Sequence, residues 1–199
     1  MFDFLQNFPE WKYILSAFIG VGLAAAAGFR VFLPMFIVSL ASYFGWLHLS
    51  DNFLWLSGLP TLIITGVATL VEILAYYIPF IDHLLDTLTI PAAAVAGTLL
   101  FASQFVDAGT FPQWALAVIV GGGTAATISS AFAGTRLAST GTTGGVGNSV
   151  VATTETVGST IFSILAVVLP VIVVILVVVL LFFIFKFGKK IFKKTFGKK

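Results

Sequence analysis

The chain of 199 residues contains no cysteine, only two histidines, and few charges, with Asp, Glu, Lys and Arg making up 9 % of it. The absence of cysteine excludes disulfides, thiolate metal sites and thiol nucleophiles together. Two histidines leave little acid–base equipment, and no serine or threonine has a histidine and a carboxylate at a recognisable catalytic spacing. Soluble domains carry roughly 25 % charged residues, so the scarcity of charge excludes an ordinary globular fold. What fills the chain instead is apolar: 59 % of residues are hydrophobic and the mean hydropathy is +1.10. Such a composition predicts an all-α polytopic membrane protein with short loops.

The formal net charge of +2 is unevenly placed, since seven of the ten basic residues lie in the tail KFGKKIFKKTFGKK, 186–199. That tail is too short for a nucleic-acid module. It reads as a positive-inside anchor that puts the C-terminus in the cytoplasm and as a contact for anionic lipid headgroups. At the other end, Asp3 and Glu10 precede Lys12, the first basic residue, where a cleavable signal would be cationic. Phe2, Phe4, Leu5, Phe8 and Trp11 read instead as an amphipathic foot in the membrane interface.

Along the chain, the first apolar block (13–46) exceeds the roughly 20 residues needed to cross a bilayer. Gly20, Gly22, Gly28 and Pro34 predict that it is kinked or interrupted. LHLSDN (47–52) reads as a loop, and the block 59–80 as a spanning helix with Tyr76 and Tyr77 at its far interface. IDHLLDTLTIP (81–91) reads as a polar connection, 92–106 as a third span or a partly re-entrant one, and DAGTFPQ (107–113) as a turn. A fourth span runs to about Leu137 through three consecutive glycines, Gly121 to Gly123, each costing roughly 1 kcal/mol against alanine. They serve either close helix packing, within the chain or in a homodimer, or a deliberate break for backbone coordination. From 149 to 187 the chain is apolar, too long for one straight span, so Pro170 marks a turn or kink.

An internal echo organises these segments. AAGFRVF (26–32) matches FAGTRLA (132–138), and VATLVE ending at Glu72 resembles VATTE ending at Glu155. Two copies of a charged, glycine-broken element predict six transmembrane segments, with five as the alternative, built as two inverted three-helix repeats around a shared site. In this division 1–12 is the foot, 13–106 the first repeat, 112–187 the second and 188–199 the lysine tail, all within one membrane domain.

Four ionisable groups then fall at membrane depth: Arg30, Glu72, Arg136 and Glu155. Each central charge costs roughly 2.5–3.5 kcal/mol on insertion scales, so they must be paired, hydrated or neutralised. They are either structural Arg–Glu staples or the lining of a hydrated site, where at least one glutamate would hold its proton more tightly and permit proton coupling. STGTTGGVGNS (139–149) adds hydroxyls, an amide and approachable backbone of the kind that replaces a hydration shell. Gly28, Gly134, Thr142, Thr143 and Asn148 therefore join the candidate substrate or ion site. The stretch lacks GxxxxGK[ST], which excludes a nucleotide P-loop. Asp82 and Asp86 share a helix face beside His83; they read as interface polarity or as a site for a divalent cation.

The stretches GLAAAAGFRVFLP, EILAYYIPFIDHLLDTL, TIPAAAVAG and STGTTGGVGNSVVATTE resemble the bacterial membrane proteins grouped as domain of unknown function 4126, over about residues 13–165. The resemblance implies a bacterial inner-membrane setting and assigns no activity. From the residues themselves, the expected function is a small transporter or channel for an ion or small solute. The alternatives are a non-transporting scaffold held by Arg–Glu pairs, and a metal-dependent lipid-modifying enzyme using Asp82, His83 and Asp86. No cofactor beyond a divalent cation is expected.

Overall fold

A computed structural model describes the backbone of residues 9–104 and 110–196, and side chains within them except at 9, 10, 79–84, 86, 110, 112 and 191–196. Among the described residues all regular structure is helical. The order is α1 (Pro9–Phe29), α2 (Phe32–Tyr43), a 3₁₀ helix (Asp51–Ser57), α3 (Leu59–Ala75), α4 (Pro79–Ala102), α5 (Thr110–Leu116), a π-helical segment (Ala117–Gly122), α6 (Gly123–Thr143), α7 (Asn148–Val168) and α8 (Pro170–Phe196).

Helix α1 is the axis of the bundle. Leu23 and Ala24 to Ala27 are all 0 % exposed, and α4, α6, α7 and α8 all pack on it. Its small side chains make this geometry available, because backbones approach closely only where little projects between them. A Cβ on Gly22 would lie 2.5 Å from Val173 and 2.8 Å from Ala166, and one on Gly28 would lie 2.7 Å from Ile128. The outer surfaces of α3 and α8 carry exposed Ile63, Ile64, Val67, Leu70, Ile175, Val178 and Phe182. That pattern fits apolar surfaces turned to lipid.

Four described helices are long and apolar enough to cross a membrane: Trp11–Phe29, Gln113–Thr143, Asn148–Val168 and Pro170–Lys190. A fifth span results if Asp51–Ser57 and Leu59–Ala75, which meet at 66°, form one bent crossing. These helices make the chain a multi-pass membrane protein.

The interruption expected in the first block falls at Arg30 and Val31, between α1 and α2. Helix α2 then lies antiparallel to α3, with Val31 beside Glu72, Phe36 beside Gly66 and Ser39 beside Leu56. Pro34 sits in the first turn of α2, where its missing N–H costs nothing. The break before Pro170 is present as well, Leu169 leaving helical geometry at φ −137°.

Three local expectations need correction. Residues 81–91 are not a connection but part of the continuous helix α4, which runs through Pro91. Proline inside a membrane helix forfeits one backbone bond, and neighbouring groups re-satisfy what is freed. The fourth span does not end near Leu137; it continues to Thr143. The turn expected at 107–113 is helical from Thr110 onward, its residues 107–109 lying outside the described residues, as do Phe2 to Phe8 of the expected foot.

Gly121 and Gly122 lie in the π-helical segment and serve close packing inside the chain. A Cβ on Gly121 would stand 2.6 Å from the Gly97 carbonyl oxygen, and one on Gly97 would stand 2.7 Å from the Gly121 oxygen. Gly123 faces open space.

Candidate functional site

The break after α1 sets the site. Residues that end one helix and start another leave backbone N–H groups without intrahelical partners. Here the amides of Val31 and Phe32 donate to the two oxygens of Glu72, at 2.8 and 3.0 Å. A carboxylate from α3 thus caps α2, in the position that a helix N-terminus offers to any anion. The amide of Arg30 still donates to Ala26 at 3.1 Å, so the intrahelical bonding of α1 is lost only from Val31 onward.

Arg30 itself is 0 % exposed. Its Nε donates to the Thr156 hydroxyl at 3.1 Å and its Nη2 to the Ala152 carbonyl at 2.8 Å. Both partners lie on α7, one turn apart, because that spacing presents them on one helix face. Nη2 is also 3.7 Å from the Glu155 carboxylate. The Arg30 Nη1 is buried and has no hydrogen-bond partner among the described residues.

Arg136 on α6 meets the same Glu155 in a bidentate pair, Nε donating to Oε1 at 3.1 Å and Nη2 to Oε2. Both members are buried. Tyr76, which follows α3, completes the group, with both guanidinium carbons 4.0 Å from its ring centroid. A ring face attracts cations more strongly once water is removed, so this tyrosine helps hold two arginines in an apolar bundle. Its hydroxyl donates to Thr89 at 2.5 Å, and Thr89 in turn donates to the Leu85 carbonyl.

The sequence expectation of paired charges therefore takes an asymmetric form. Glu155 serves both arginines, while Glu72 serves backbone amides. The cause is local: the chain breaks after Arg30 and exposes amides there, whereas α6 continues past Arg136 to Thr143 and exposes none.

Arg30, Glu72, Arg136 and Glu155 come together, and the structure adds Tyr76, placed by its sequence context at a membrane interface but in fact buried. The rest of the expected site is distributed. Gly28 packs against α6. Gly134 is exposed with nothing within 4 Å of a Cβ there. Thr142 and Thr143 are exposed and donate to carbonyls of their own helix, Ala138 at 2.9 Å and Ser139 at 2.8 Å. Asn148 is buried at the start of α7 and donates to Thr140 at 3.1 Å.

The stretch 139–149 forms the end of α6, a turn and the start of α7. Gly144 and Gly145 adopt φ of 63° and 92°, the left-handed geometry that ends a helix and that glycine reaches without strain. Glu155 lies seven residues into α7, about 10 Å along the helix from that turn. The cluster thus sits near one end of the bundle, below the α6–α7 turn. A narrow cleft reaches it, lined by Gly28, Tyr76, Ser129, Ala133, Arg136 and Glu155. About 10 Å³ of it is open to the centre of a water molecule, room for roughly one water.

The side chains of Asp82, His83 and Asp86 lie outside the described residues. Among the described residues no three His, Asp or Glu are placed to hold a metal ion.

A helical multi-pass membrane protein with a buried Arg–Glu–Tyr cluster at a helix break is thus defined. The chain belongs to the family described as Domain of unknown function (DUF4126), whose model matches residues 17–190. No curated protein and no solved structure matches it.

Proposed function

We propose that the protein is a small transporter or channel for an ion or small solute, with Arg30, Glu72, Arg136 and Glu155 as its polar site. The observation that carries this reading is the helix break at Arg30, where a helix N-terminus and a buried guanidinium each meet a carboxylate within an apolar bundle. Membrane transporters build solute sites from such discontinuous helices, at the seam of related halves. In this reading the Ala-Gly-x-Arg echo marks two related arginine-bearing helices, and the glutamates carry protons or bind cations. The setting is a bacterial inner membrane, with the lysine tail on anionic headgroups at the cytoplasmic face. A homodimer uses the open face at Gly123.

A scaffold is the second reading, favoured by the narrowness of the cleft and the mutual pairing of the charges. The cysteine-free chain separates the two. Single cysteines at Ser129, Ala133, Ser139 and Thr153 are treated with membrane-impermeant thiol reagents from each side of sealed vesicles. Gly28 is unsuitable, since any side chain there collides with Ile128. Transport predicts labelling at Ser129 and Ala133 as well as at the outer positions. Protection of both cleft positions under all conditions sinks the transport reading and leaves the scaffold.

A further inference from the structure

The break after Arg30 leaves α2 short. Its twelve residues make a helix of about 18 Å, little more than one leaflet of a hydrocarbon core roughly 30 Å thick. Helix α7, long enough to cross the whole core, packs beside it. Between the two a groove of about 530 Å³ stays open, completed by Thr69 of α3 and by Trp46 beyond the end of α2. Its volume falls within the roughly 300–1,000 Å³ of small-molecule sites. One end lies beside the charged cluster: Leu33 is two residues past Val31, Thr69 one turn before Glu72, and Thr160 one turn past Thr156. Trp46 and Val168, 71 % and 64 % exposed, mark the other end. Trp46 stacks on Phe44; exposed Trp55 lies on the 3₁₀ helix that follows, and Trp114 packs against Phe53 of that helix. Tryptophans gather at headgroup depth, so the groove runs from a membrane interface inward to about mid-membrane.

We infer that this groove holds one acyl chain of a membrane phospholipid, with the headgroup beside Trp46 and the chain end beside Leu33 and Thr69. The walls select hydrocarbon. Their two hydroxyls are spent on their own helices, Thr69 donating to the Thr65 carbonyl at 2.7 Å and Thr160 to the Thr156 carbonyl at 2.8 Å, and the rest of the lining is aliphatic or aromatic. Water needs two to four polar partners to stay in such a space. The direction also fits, because a chain anchored at one interface reaches about half of the hydrocarbon core, where the groove ends. Its mouth, at half-exposed Ile164 and exposed Val168, continues into the apolar outer surface that includes Leu70 beside Thr69. A whole helix of a second copy, about 10–12 Å across with its side chains, is too wide to enter between two helices already in contact.

The test uses the full-length protein, reconstituted into phosphatidylcholine vesicles, released in detergent and weighed by native mass spectrometry. The wild type is expected to retain one phosphatidylcholine per chain. Filling the groove should abolish that retention: Thr160→Phe on α7 and Ile37→Phe on α2 each add a ring to the lining. Ile64→Phe, on the exposed face of α3, should keep the lipid. A wild type that carries no lipid overturns the inference, as does an equal lipid count in the filled variants and in Ile64→Phe. A wild-type dimer without lipid that the filled variants dissociate also overturns it and gives the groove to a second copy.

If neither filled variant folds, the wild type alone decides. Protein stripped of lipid by excess detergent should unfold at a higher temperature once phosphatidylcholine is added back. Glycerophosphocholine, the same headgroup without chains, should leave the unfolding temperature where it was. No rise with the lipid, or the same rise with both compounds, overturns the inference.

Discussion

One carboxylate, Glu155, serves two buried guanidinium groups, and its removal would take that counter-charge from Arg30 and Arg136 together. Breaking a buried pair by deleting one partner costs about 3–5 kcal/mol. Glu155→Ala should therefore lower the unfolding free energy by about that amount in detergent-solubilised protein, and a loss below about 1 kcal/mol would mean that water already screens the pair. Tyr76→Phe keeps the ring and should cost only about 1 kcal/mol, the worth of the bond to Thr89. These residues were unequally legible in the sequence. Ionisable groups in apolar stretches announce themselves, so Arg30, Glu72, Arg136 and Glu155 stood out. Tyr76 did not, because a tyrosine closing an apolar run is the ordinary mark of a headgroup interface. Nor did the partner of Glu72, since a bond to backbone amides leaves no trace in side-chain spacing.

Between elements, α4 meets the π-helical segment at a seam where Gly97 and Gly121 bring backbone against backbone. The atoms a methyl group would meet there are carbonyl oxygens and the Cβ atoms of Ala125 and Phe101, none of which can rotate away. Gly97→Ala and Gly121→Ala should each destabilise by about 1–3 kcal/mol, the range for overpacking. Gly134→Ala, with open space at its Cβ, should instead be neutral or stabilising by up to about 1 kcal/mol. Thermal unfolding of the three variants checks the contrast, and equal gains in all three would show that helix propensity rather than the seam governs these glycines. At this scale the sequence spoke through its breakers. Glycines and Pro34 around Arg30, and Pro170, mark interruptions that the fold contains. The polar residues of 81–91 misled, because Asp, His and Thr read as loop by composition although the backbone there is helical.

Over the whole molecule, chain direction follows from which residues meet. Helix α7 runs against α1, with Ser159 donating to Ala26 at 3.0 Å and Ala166 beside Gly22. Helix α8 runs with α1, since Val173 stands at Gly22 and Val177 joins the cluster of Ala25 and Phe29. The start of α1 and the end of α8 therefore lie at opposite ends of the bundle. The three-plus-three arrangement expected from the sequence puts both termini on one side, because it has no place for the separate helix α2. Epitope tags at the two ends, probed in sealed vesicles, should be exposed on opposite faces; tags exposed together would contradict the helix directions. The same long-range contacts bear on how the protein is made. Arg30 is synthesised directly after the first helix, but its hydrogen-bond partner Thr156 lies 126 residues later in the chain. At about 5–20 residues per second, a ribosome needs roughly 6–25 s to deliver it. Glu72 and Tyr76 emerge in about a third of that time. During biogenesis the carboxylate from α3 is thus the earliest counter-charge available to an arginine already committed to the bilayer, and α7 is the late piece that closes the cluster around it.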